Sequence, residues 1–303
     1  MPTTRAVIST DFVRSRSSWR EHASALLALT KPRLAVMSVL TAMTAYVTAS
    51  PVAGPVVATL IGTSLAAGGA LSLNQWWERQ TDALMRRTRS RPLPQAQLSA
   101  AEALRWSLAL SFVGVGVLAA QVNATAAMVA VATILIYGVI YTPLKRRTRW
   151  ATEVGSISGA LPALLGSAAA GDIGSRPGLV LAGILLFWQM PHFFAIGWRH
   201  RADYQTAGFP LRPALDPSGA RTAAWSLGYT TILLMVSIVP WALGWLDVFY
   251  GVTAAVAGGW FLRFAWGFAR ETDRDSAARR LFFASIVYLP LIMAALLIDR
   301  LIA

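Results

Sequence analysis

The chain has 303 residues, of which 55% are hydrophobic, and its mean hydropathy is +0.52. Soluble domains contain roughly 45–50% apolar residues, so this composition excludes an ordinary soluble fold and predicts an integral membrane protein. The formal net charge is +13, and the absence of cysteine excludes disulfides, thiolate metal sites and thiol catalysis.

The N-terminal segment contains scattered arginine and serine but no apolar core of the signal-peptide type. We predict a cytoplasmic tail over residues 1–30, with an amphipathic stretch from Trp19 to Leu29 at the membrane surface. Residues 31–303 are predicted to form one membrane-embedded domain.

Long uncharged stretches follow this tail, and each supplies about the 20 apolar residues that a helix needs to cross the hydrocarbon core. The first stretch, residues 34–77, is broken into two helices by the proline- and glycine-containing run 50–55. Together the stretches predict an all-α integral membrane protein, a bundle of about nine transmembrane helices. The predicted helices lie near residues 34–50, 54–77, 103–121, 124–142, 154–171, 178–198, 223–245, 248–268 and 281–299.

The first acidic residues after the tail lie where the second predicted helix ends. Asn74, Glu78 and Asp82 recur every four positions, which places them on one helical stripe that rises about 12 Å. Such oxygen ligands suit Mg2+, and the length of the stripe suits two divalent ions, or one ion and a water network, that bridge the oxygens of a diphosphate. Ordinary pairing of the two acids with arginines at helical spacing is the alternative.

Basic residues follow these acids directly. Arg87 and Arg91 are four positions apart, and their planar guanidinium groups suit phosphate oxygens. Lys145 and Arg146 follow the end of the fourth predicted helix and are further candidates for binding a diphosphate. Anchoring of the helices at the cytoplasmic surface explains basic residues at such positions equally well.

The sixth predicted helix and the loop after it carry the remaining candidates. His192 lies inside the helix, where a polar side chain usually faces the bundle interior, and it is a candidate contact for a bound cofactor. A hydrogen bond to a neighbouring carbonyl is the alternative. Asp203, with Tyr204 beside it, forms a second acidic site if helices 2 and 6 face each other. A solvated aspartate paired with Arg199 or Arg201 explains it equally well.

Basic residues also predict the orientation, because short loops rich in lysine and arginine stay cytoplasmic. With nine helices, the N-terminus and the loops after even-numbered helices share one side, and these segments together with the helix ends beside them hold 25 of the 27 basic residues. We therefore predict a multi-pass protein of the cytoplasmic (inner) cell membrane, with a cytoplasmic N-terminus and the C-terminus on the opposite side. Anionic lipid of the bilayer and an anionic substrate explain the positive charge, and no nucleic acid is needed.

Four stretches resemble, in the same order, the protoheme IX farnesyltransferase (heme O synthase) branch of the UbiA-type intramembrane prenyltransferases. They are NQWWERQTDALMRRTRSRP at 74–92, YTPLKR at 141–146, GALP at 159–162, and WQMPHF at 188–193 leading to DY at 203–204 and AG at 207–208. The similarity extends from about residue 30 to the last helix. The sequence departs from the usual family pattern at Gln80, Ala151 and Ala202.

The resemblance implies a nine-span bundle around a central cavity, which opens to lipid for an isoprenoid tail and is capped by cytoplasmic loops over the active site. It also implies that Mg2+ draws off the diphosphate of farnesyl diphosphate, and that a vinyl group of heme b, a substrate, captures the allylic carbocation to give heme O. Heme A synthase is then a candidate partner. The expected catalytic residues are Asn74, Glu78 and Asp82, and the expected metal ligands are these three with Asp203. Diphosphate is expected to bind Arg87, Arg91, Lys145 and Arg146. Asp203 and Tyr204 are expected to form a second acidic site, and His192 is expected to contact heme.

An allylic cation needs a pocket that excludes water, and aromatic ring faces stabilise a cation. The candidate walls are Trp76, Trp77, Phe187, Trp188, Phe193 and Phe194. Anchoring of these residues at the membrane interface is the alternative.

Two other functions fit parts of the sequence. A UbiA-type enzyme that prenylates an aromatic quinone precursor or a chlorophyll precursor would share the diphosphate site, although the PHF and DYxxAG stretches favour the heme branch. A cation-coupled transporter would also bury acids, but here the acids cluster at predicted helix ends and not at the bilayer midplane.

Overall fold

The fold is helical throughout the part of the chain that the computed structural model describes, residues 18–49 and 54–302. The α-helices are α1 (Trp19–Leu29), α2 (Pro32–Ala49), α3 (Val56–Leu84), α4 (Ala100–Gln121), α5 (Ala124–Ile134), α6 (Thr142–Leu144), α7 (Ala151–Ala169), α8 (Arg176–Arg199), α9 (Arg201–Thr206), α10 (Ala220–Ala242), α11 (Val248–Arg270) and α12 (Arg274–Ile302). A π-helix, Leu135–Tyr141, joins α5 to α6, and a short 3-10 turn, Arg212–Ala214, precedes α10. The predicted all-α fold is confirmed.

Seven helical segments in the described ranges are long and apolar enough to cross a membrane, or eight if the bent pair α1 and α2 forms one span. One of the seven is the continuous segment from α5 to α6. A helix lies at each of the nine predicted positions, but α7 is not among the seven, because its glycine and serine residues and Glu153 lower its hydropathy. The multi-pass membrane character is therefore established, and the number nine stays a prediction.

The N-terminal helix α1 is fixed against the bundle. Ser18 and Glu21 form a reciprocal capping box at its start. At its other end Leu29 is fully buried, and Gln75 Nε2 of α3 donates to the Leu29 carbonyl at 3.0 Å. Residues 1–17 of the predicted tail, and residues 50–53 at the predicted break between the first two helices, lie outside the described residues.

Two apolar cores hold the bundle together. One lies among α8, α10, α11 and α12 and contains the fully buried rings of Tyr250, Phe261 and Tyr288. The other joins α2, α3, α4, α5 and α7 around Ala42 and Leu165. Helix α8 also packs against α2 and α7, so it links the two cores.

Close approach of α2 and α7 depends on a glycine. A Cβ atom at Gly166 would lie 1.8 Å from the carbonyl oxygen of Ala42, so any side chain there would force the helices apart. Small residues are the usual means by which membrane helices pack, since lipid provides no hydrophobic driving force between them. The contact positions two helices that line the cavities described below.

Candidate active site

Asn74, Glu78 and Asp82 lie on one buried face near the end of α3. Their exposed fractions are 2%, 4% and 0%. Burying a carboxylate is costly unless a cation or hydrogen bonds compensate for the lost water. Each of the three side chains is compensated by a basic residue from a different segment of the chain.

Two of these basic residues form salt bridges with the acids. Lys145 Nζ lies 3.0 Å from Glu78 Oε1, and Arg91 Nη1 lies 2.6 Å from Asp82 Oδ2. Both pairs are shielded, since the exposed side-chain fractions are 11% and 5% for the first pair and 21% and 1% for the second. The cost of removing these charges from water offsets much of their attraction, so the pairs add little to the stability of the fold. Their burial indicates a functional site that requires charged groups.

Lys145 follows the last residue of the span that ends at Leu144, and aromatic rings surround it. Its Nζ lies 5.6 Å from the ring centre of Tyr204 and 4.9 Å from that of Phe209. Burial alone would lower the pKa of Lys145, but the adjacent Glu78 carboxylate outweighs this effect and raises the pKa above its ordinary value. The ammonium group is therefore charged at physiological pH.

Lys31 is a site residue that the sequence analysis missed. It lies before Pro32 at the 48° bend between α1 and α2, and its φ of +46° is a left-handed conformation that non-glycine residues seldom adopt. In this conformation Lys31 Nζ donates to Asn74 Oδ1 at 2.6 Å. The sequence signal was a lysine before a proline ahead of a long uncharged stretch, which also fits an interfacial anchor.

The amide nitrogen of Asn74 is bonded to the segment that follows the π-helix. Asn74 Nδ2 donates to Thr142 Oγ1 at 3.1 Å, and Thr142 Oγ1 donates to the Tyr137 carbonyl at 2.7 Å. Short π-helices occur frequently at functional sites. Here the π-helix contributes Tyr137 and Tyr141, two further residues that the sequence analysis missed, to the cavity in front of Glu78.

A polar cavity of about 280 Å³ opens in front of these residues. Glu78 is the carboxylate in its lining, and the basic residues in its lining are Lys31, Arg87, Arg91 and Lys145. This excess of positive charge suits a polyanion such as a diphosphate. Of the four basic residues predicted to bind diphosphate, three line the cavity, whereas Arg146 is exposed and lies outside it.

An apolar cavity of about 220 Å³ adjoins the polar one. It is lined by α3 residues that precede Asn74, such as Ala66 and Ala70, and by parts of α2, α5, α7 and α8. The residues common to both linings are Leu34, Tyr137, Tyr141, Thr152 and Phe193. Because Leu34 and Phe193 are 54% and 41% exposed, the junction of the cavities opens to the side of the bundle between α2 and α8.

Most of the aromatic residues that the sequence offers as candidate walls lie outside the lining of the two cavities. Of the six candidates, Phe193 lines the cavities, and the other five lie elsewhere. Trp77 is exposed, Phe194 is fully buried, and the others pack against neighbouring apolar clusters. The aromatic lining instead comes from Phe193 with Tyr137, Tyr141 and Tyr204.

Asp203 supports the segment that carries the arginines. Its two carboxylate oxygens accept hydrogen bonds from the backbone N–H groups of Arg86 and Arg87, each at 3.3 Å. Within the described ranges it does not join Glu78 and Asp82 in a cluster of three acidic or histidine side chains. The structure therefore brings Asp203 to the loop after α3 and not to the carboxylate pair itself.

Arg212 anchors the segment that follows α9, the short helix that carries Asp203. Arg212 forms a salt bridge with Glu153 of α7 at 2.9 Å. Its guanidinium group also lies over two indole rings that are nearly perpendicular to each other, 4.0 Å from the centre of Trp150 and 4.6 Å from that of Trp225. The neighbouring Pro213 lines the polar cavity, so the contacts of Arg212 fix a segment of the cavity wall.

The donor atoms at the acidic pair fit a magnesium ion. Asp82 Oδ1 is buried and has no hydrogen-bond partner among the described residues. Glu78 lines the cavity, and only its Oε1 is paired there. Mg2+ is usually held by one or two carboxylates together with substrate phosphates and water, which matches this pair. Asn74 differs, because both ends of its amide are bonded within the protein.

The predicted histidine, His192, lies on α8 and lines the polar cavity beside Phe193. Its Nδ1 lies 2.7 Å from Ser285 Oγ of α12. The predicted alternative, a hydrogen bond to a neighbouring carbonyl, is therefore wrong for Nδ1.

Comparison with known proteins supports an enzymatic interpretation of this site. A sequence model described as the UbiA prenyltransferase family matches residues 35–287. The protoheme IX farnesyltransferase of Opitutus terrae is 47% identical over 277 residues, which cover 91% of this chain and 94% of that protein.

Solved structures share the fold. A structure of digeranylgeranylglyceryl phosphate synthase superposes with a TM-score of 0.77 at 15% identity and covers 93% of this chain and 100% of its own. A UbiA homolog from Archaeoglobus fulgidus, bound to GPP and Mg2+, superposes with a TM-score of 0.62 at 15% identity and covers 90% and 99%. At this level of identity the likeness establishes the helical fold alone.

Proposed function

The chain belongs to the UbiA prenyltransferase family, and we propose that it transfers the farnesyl group of farnesyl diphosphate to a vinyl group of heme b. The products are heme O and diphosphate. The relative named protoheme IX farnesyltransferase matches nearly the full length of both chains, which supports the same donor and acceptor here.

One observation carries this proposal: a strongly basic cavity adjoins an apolar one, and the two share five lining residues. Farnesyl diphosphate has the matching shape and polarity, a polyanionic head on an apolar chain. Its head fits the cations around Glu78, and its tail fits the apolar lining of α3, α5 and α7. The opening beside Leu34 and Phe193 supports entry of the tail from the bilayer.

The proposed roles follow from the contacts of each residue. Glu78 and Asp82 would hold Mg2+, which on binding would neutralise charge on the diphosphate oxygens. Lys145 and Arg91 would neutralise further charge as the diphosphate leaves, with Arg87 also in the cavity wall.

Two predicted metal ligands have more indirect roles in this proposal. Asn74 links Lys31 to Thr142 at the end of the π-helix and so positions two walls of the cavity. Asp203 positions the backbone after α3 that leads to Arg87 and Arg91.

The reaction balances without a redox partner. The bond between C1 of the farnesyl group and the diphosphate oxygen breaks, and C1 bonds to the terminal carbon of the vinyl group. Water then adds to the vinyl carbon next to the porphyrin ring and loses a proton, which leaves a hydroxyethylfarnesyl substituent. Tyr137, Tyr141 and Phe193 offer ring faces that stabilise the allylic cation and limit premature attack by water.

We also propose that the basic cavity faces the cytoplasm, with the N-terminus on that side. The support is the charge pattern, because 25 of the 27 basic residues fall on one side of a nine-span topology. Cysteine accessibility tests this orientation directly, since the native chain has no cysteine. A cysteine placed at exposed Arg146 should react with an impermeant maleimide only from the cytoplasmic side.

The proposed reaction is tested with the purified full-length protein in lipid nanodiscs. Heme b, farnesyl diphosphate and Mg2+ are supplied, and the extracted heme is analysed by mass spectrometry. We expect a heme carrying one farnesyl group and one added water, and no product when a chelator removes Mg2+. Absence of this product, together with prenylation of an aromatic quinone precursor, would overturn the assignment.

A further inference from the structure

Only one of the three histidines in the chain lines the polar cavity. His22 lies on α1 and His200 directly follows α8, and neither belongs to the cavity lining. His192 lies on α8 and shares the lining with Glu78 and Lys145. The proposed prenyl donor needs no histidine, and the resemblance implies for this side chain only an unspecified contact with heme.

Hydrogen bonds determine which ring nitrogen of His192 carries a proton. Ser285 Oγ lies 2.5 Å from the carbonyl oxygen of Phe282 and 2.7 Å from His192 Nδ1. The carbonyl can only accept, so the single hydroxyl hydrogen of Ser285 lies on that contact. Ser285 Oγ must then accept from His192, which places a proton on Nδ1 and leaves an unprotonated lone pair on Nε2.

The orientation of the ring is also fixed. The imidazole stacks on Trp188 with a centre distance of 4.7 Å, and it lies 5.2 Å from the ring of Phe282. Trp188 Nε1 donates to the Ser285 carbonyl at 2.8 Å, so Trp188 and His192 are held by the same residue of α12.

The other edge of the imidazole is open. Nε2 makes no hydrogen bond to any described residue, and it is not among the fully enclosed polar atoms that lack a partner. Because the residue lines the polar cavity, Nε2 is the edge that a guest in the cavity can reach. The cavity therefore presents a neutral imidazole lone pair held in one tautomer.

We propose that His192 Nε2 is the axial ligand of the iron of bound heme b, and that Ser285 is the positioning residue that fixes its tautomer. This rests on the proposed function, because heme b is the guest. Iron binds a neutral imidazole nitrogen, and a ligating histidine usually donates its other N–H to a fixed acceptor, as His192 does to Ser285. An axial bond lies perpendicular to the porphyrin plane, so it leaves the vinyl groups at the rim free to react.

The test uses the full-length protein loaded with heme b in nanodiscs without farnesyl diphosphate. Resonance Raman spectroscopy of the ferrous form reports the iron–imidazole stretching band. We expect the band in the wild type and in His200→Ala, and its loss in His192→Ala. Added imidazole should restore it in His192→Gly, which shows that the pocket is intact in that variant.

The positioning role of Ser285 is tested by a separate measurement, the frequency of the same band. Ser285→Ala removes the acceptor of the Nδ1 proton, so we expect the band to shift to lower frequency and heme affinity to fall about tenfold or more. Ser285→Thr keeps a hydroxyl group and should restore both values toward the wild type. An unchanged band in Ser285→Ala would overturn the positioning role.

The same samples separate this inference from the proposed reaction, because farnesylated heme is measured after farnesyl diphosphate and Mg2+ are added. Iron ligation by His192 would be overturned if the wild type lacks the band but still produces farnesylated heme, or if the band persists in His192→Ala. Either result would leave the proposed reaction in place. A band without farnesylated heme would overturn the reaction instead.

Discussion

Lys145 and Arg146 are adjacent basic residues to which the sequence analysis assigns the same role, and the structure separates them. Lys145 is buried against Glu78 and lines the polar cavity, whereas Arg146 is exposed and outside it. We therefore predict that Lys145→Met strongly reduces turnover and that Arg146→Met changes it less than twofold. Methionine keeps the aliphatic part of each side chain, so the comparison isolates the charge.

The expected size of the loss follows from the position of Lys145. Removing one fixed donor that stabilises charge developing on a leaving group lowers kcat by about 10²–10³-fold, or about 2.7–4 kcal/mol. Lys145→Met also leaves the Glu78 carboxylate without its partner, and breaking a buried pair costs about 3–5 kcal/mol of stability. The double variant with Glu78→Gln should recover much of that stability but none of the activity.

The assay measures farnesylated heme per unit time at saturating farnesyl diphosphate, and thermal unfolding in detergent is followed in parallel. Equal losses of kcat in Lys145→Met and Arg146→Met would refute the reasoning. A position in the cavity lining would then not determine which of the two charges contributes to catalysis. A Lys145→Met protein that is unstable but normal in kcat would reduce Lys145 to a structural partner of Glu78.

Three further changes test other parts of the site. Asp82→Asn should lower turnover about 10²-fold or more and raise the Mg2+ concentration needed, because it removes the carboxylate whose Oδ1 has no partner in the described residues. Gly155→Ala places a Cβ 2.7 Å from the Tyr141 ring, so the ring must move, and KM for farnesyl diphosphate should rise several-fold. Arg212→Gln removes the ion pair with Glu153 and the cation–π contacts with two indole rings, so trypsin should cut the segment 200–219 faster, after Arg201.

Matched controls exist for the last two changes. A Cβ at Gly259 of α11 meets no atom within 4 Å, so Gly259→Ala should leave KM unchanged. Arg221 is exposed at the start of α10, and Arg221→Gln should leave the rate of cleavage within 200–219 as in the wild type. An Mg2+ requirement that is unchanged in Asp82→Asn would remove that residue from metal binding.

Local sequence spacing predicts which of the candidate site residues lie together on one helix. Asn74, Glu78 and Asp82 share one face of α3 because helical periodicity alone brings residues four apart together. The membrane character and the all-helical fold could also be predicted from the sequence, since they follow from apolar stretches of sufficient length.

The contacts between distant segments of the chain could not be predicted from the sequence in this way. The spacing of Lys145 and Glu78 along the chain does not predict their salt bridge, which depends on how α3 packs beside the π-helix and α6. Lys31 was missed because its role depends on a left-handed backbone at a helix bend. Tyr137 and Tyr141 were missed because the π-helix shifts side chains away from the ordinary helical period.

Asp203 shows why residue type does not by itself predict a role. An acid amid arginines suits a metal ligand or a salt bridge, but its oxygens accept from the backbone amides of Arg86 and Arg87 instead. The sequence places the residue near the site, and only the folded loop distinguishes supporting the arginine segment from binding a metal.

The most direct test of the proposed reaction is a competition for one labelled donor. Purified protein in nanodiscs receives ¹³C-labelled farnesyl diphosphate and Mg2+ with equal amounts of heme b, an aromatic quinone precursor and a chlorophyll precursor. Mass spectrometry then determines which acceptor carries the label. We predict label on heme alone, with a matching amount of released diphosphate. Label on either other acceptor, with unmodified heme, would contradict the proposed function.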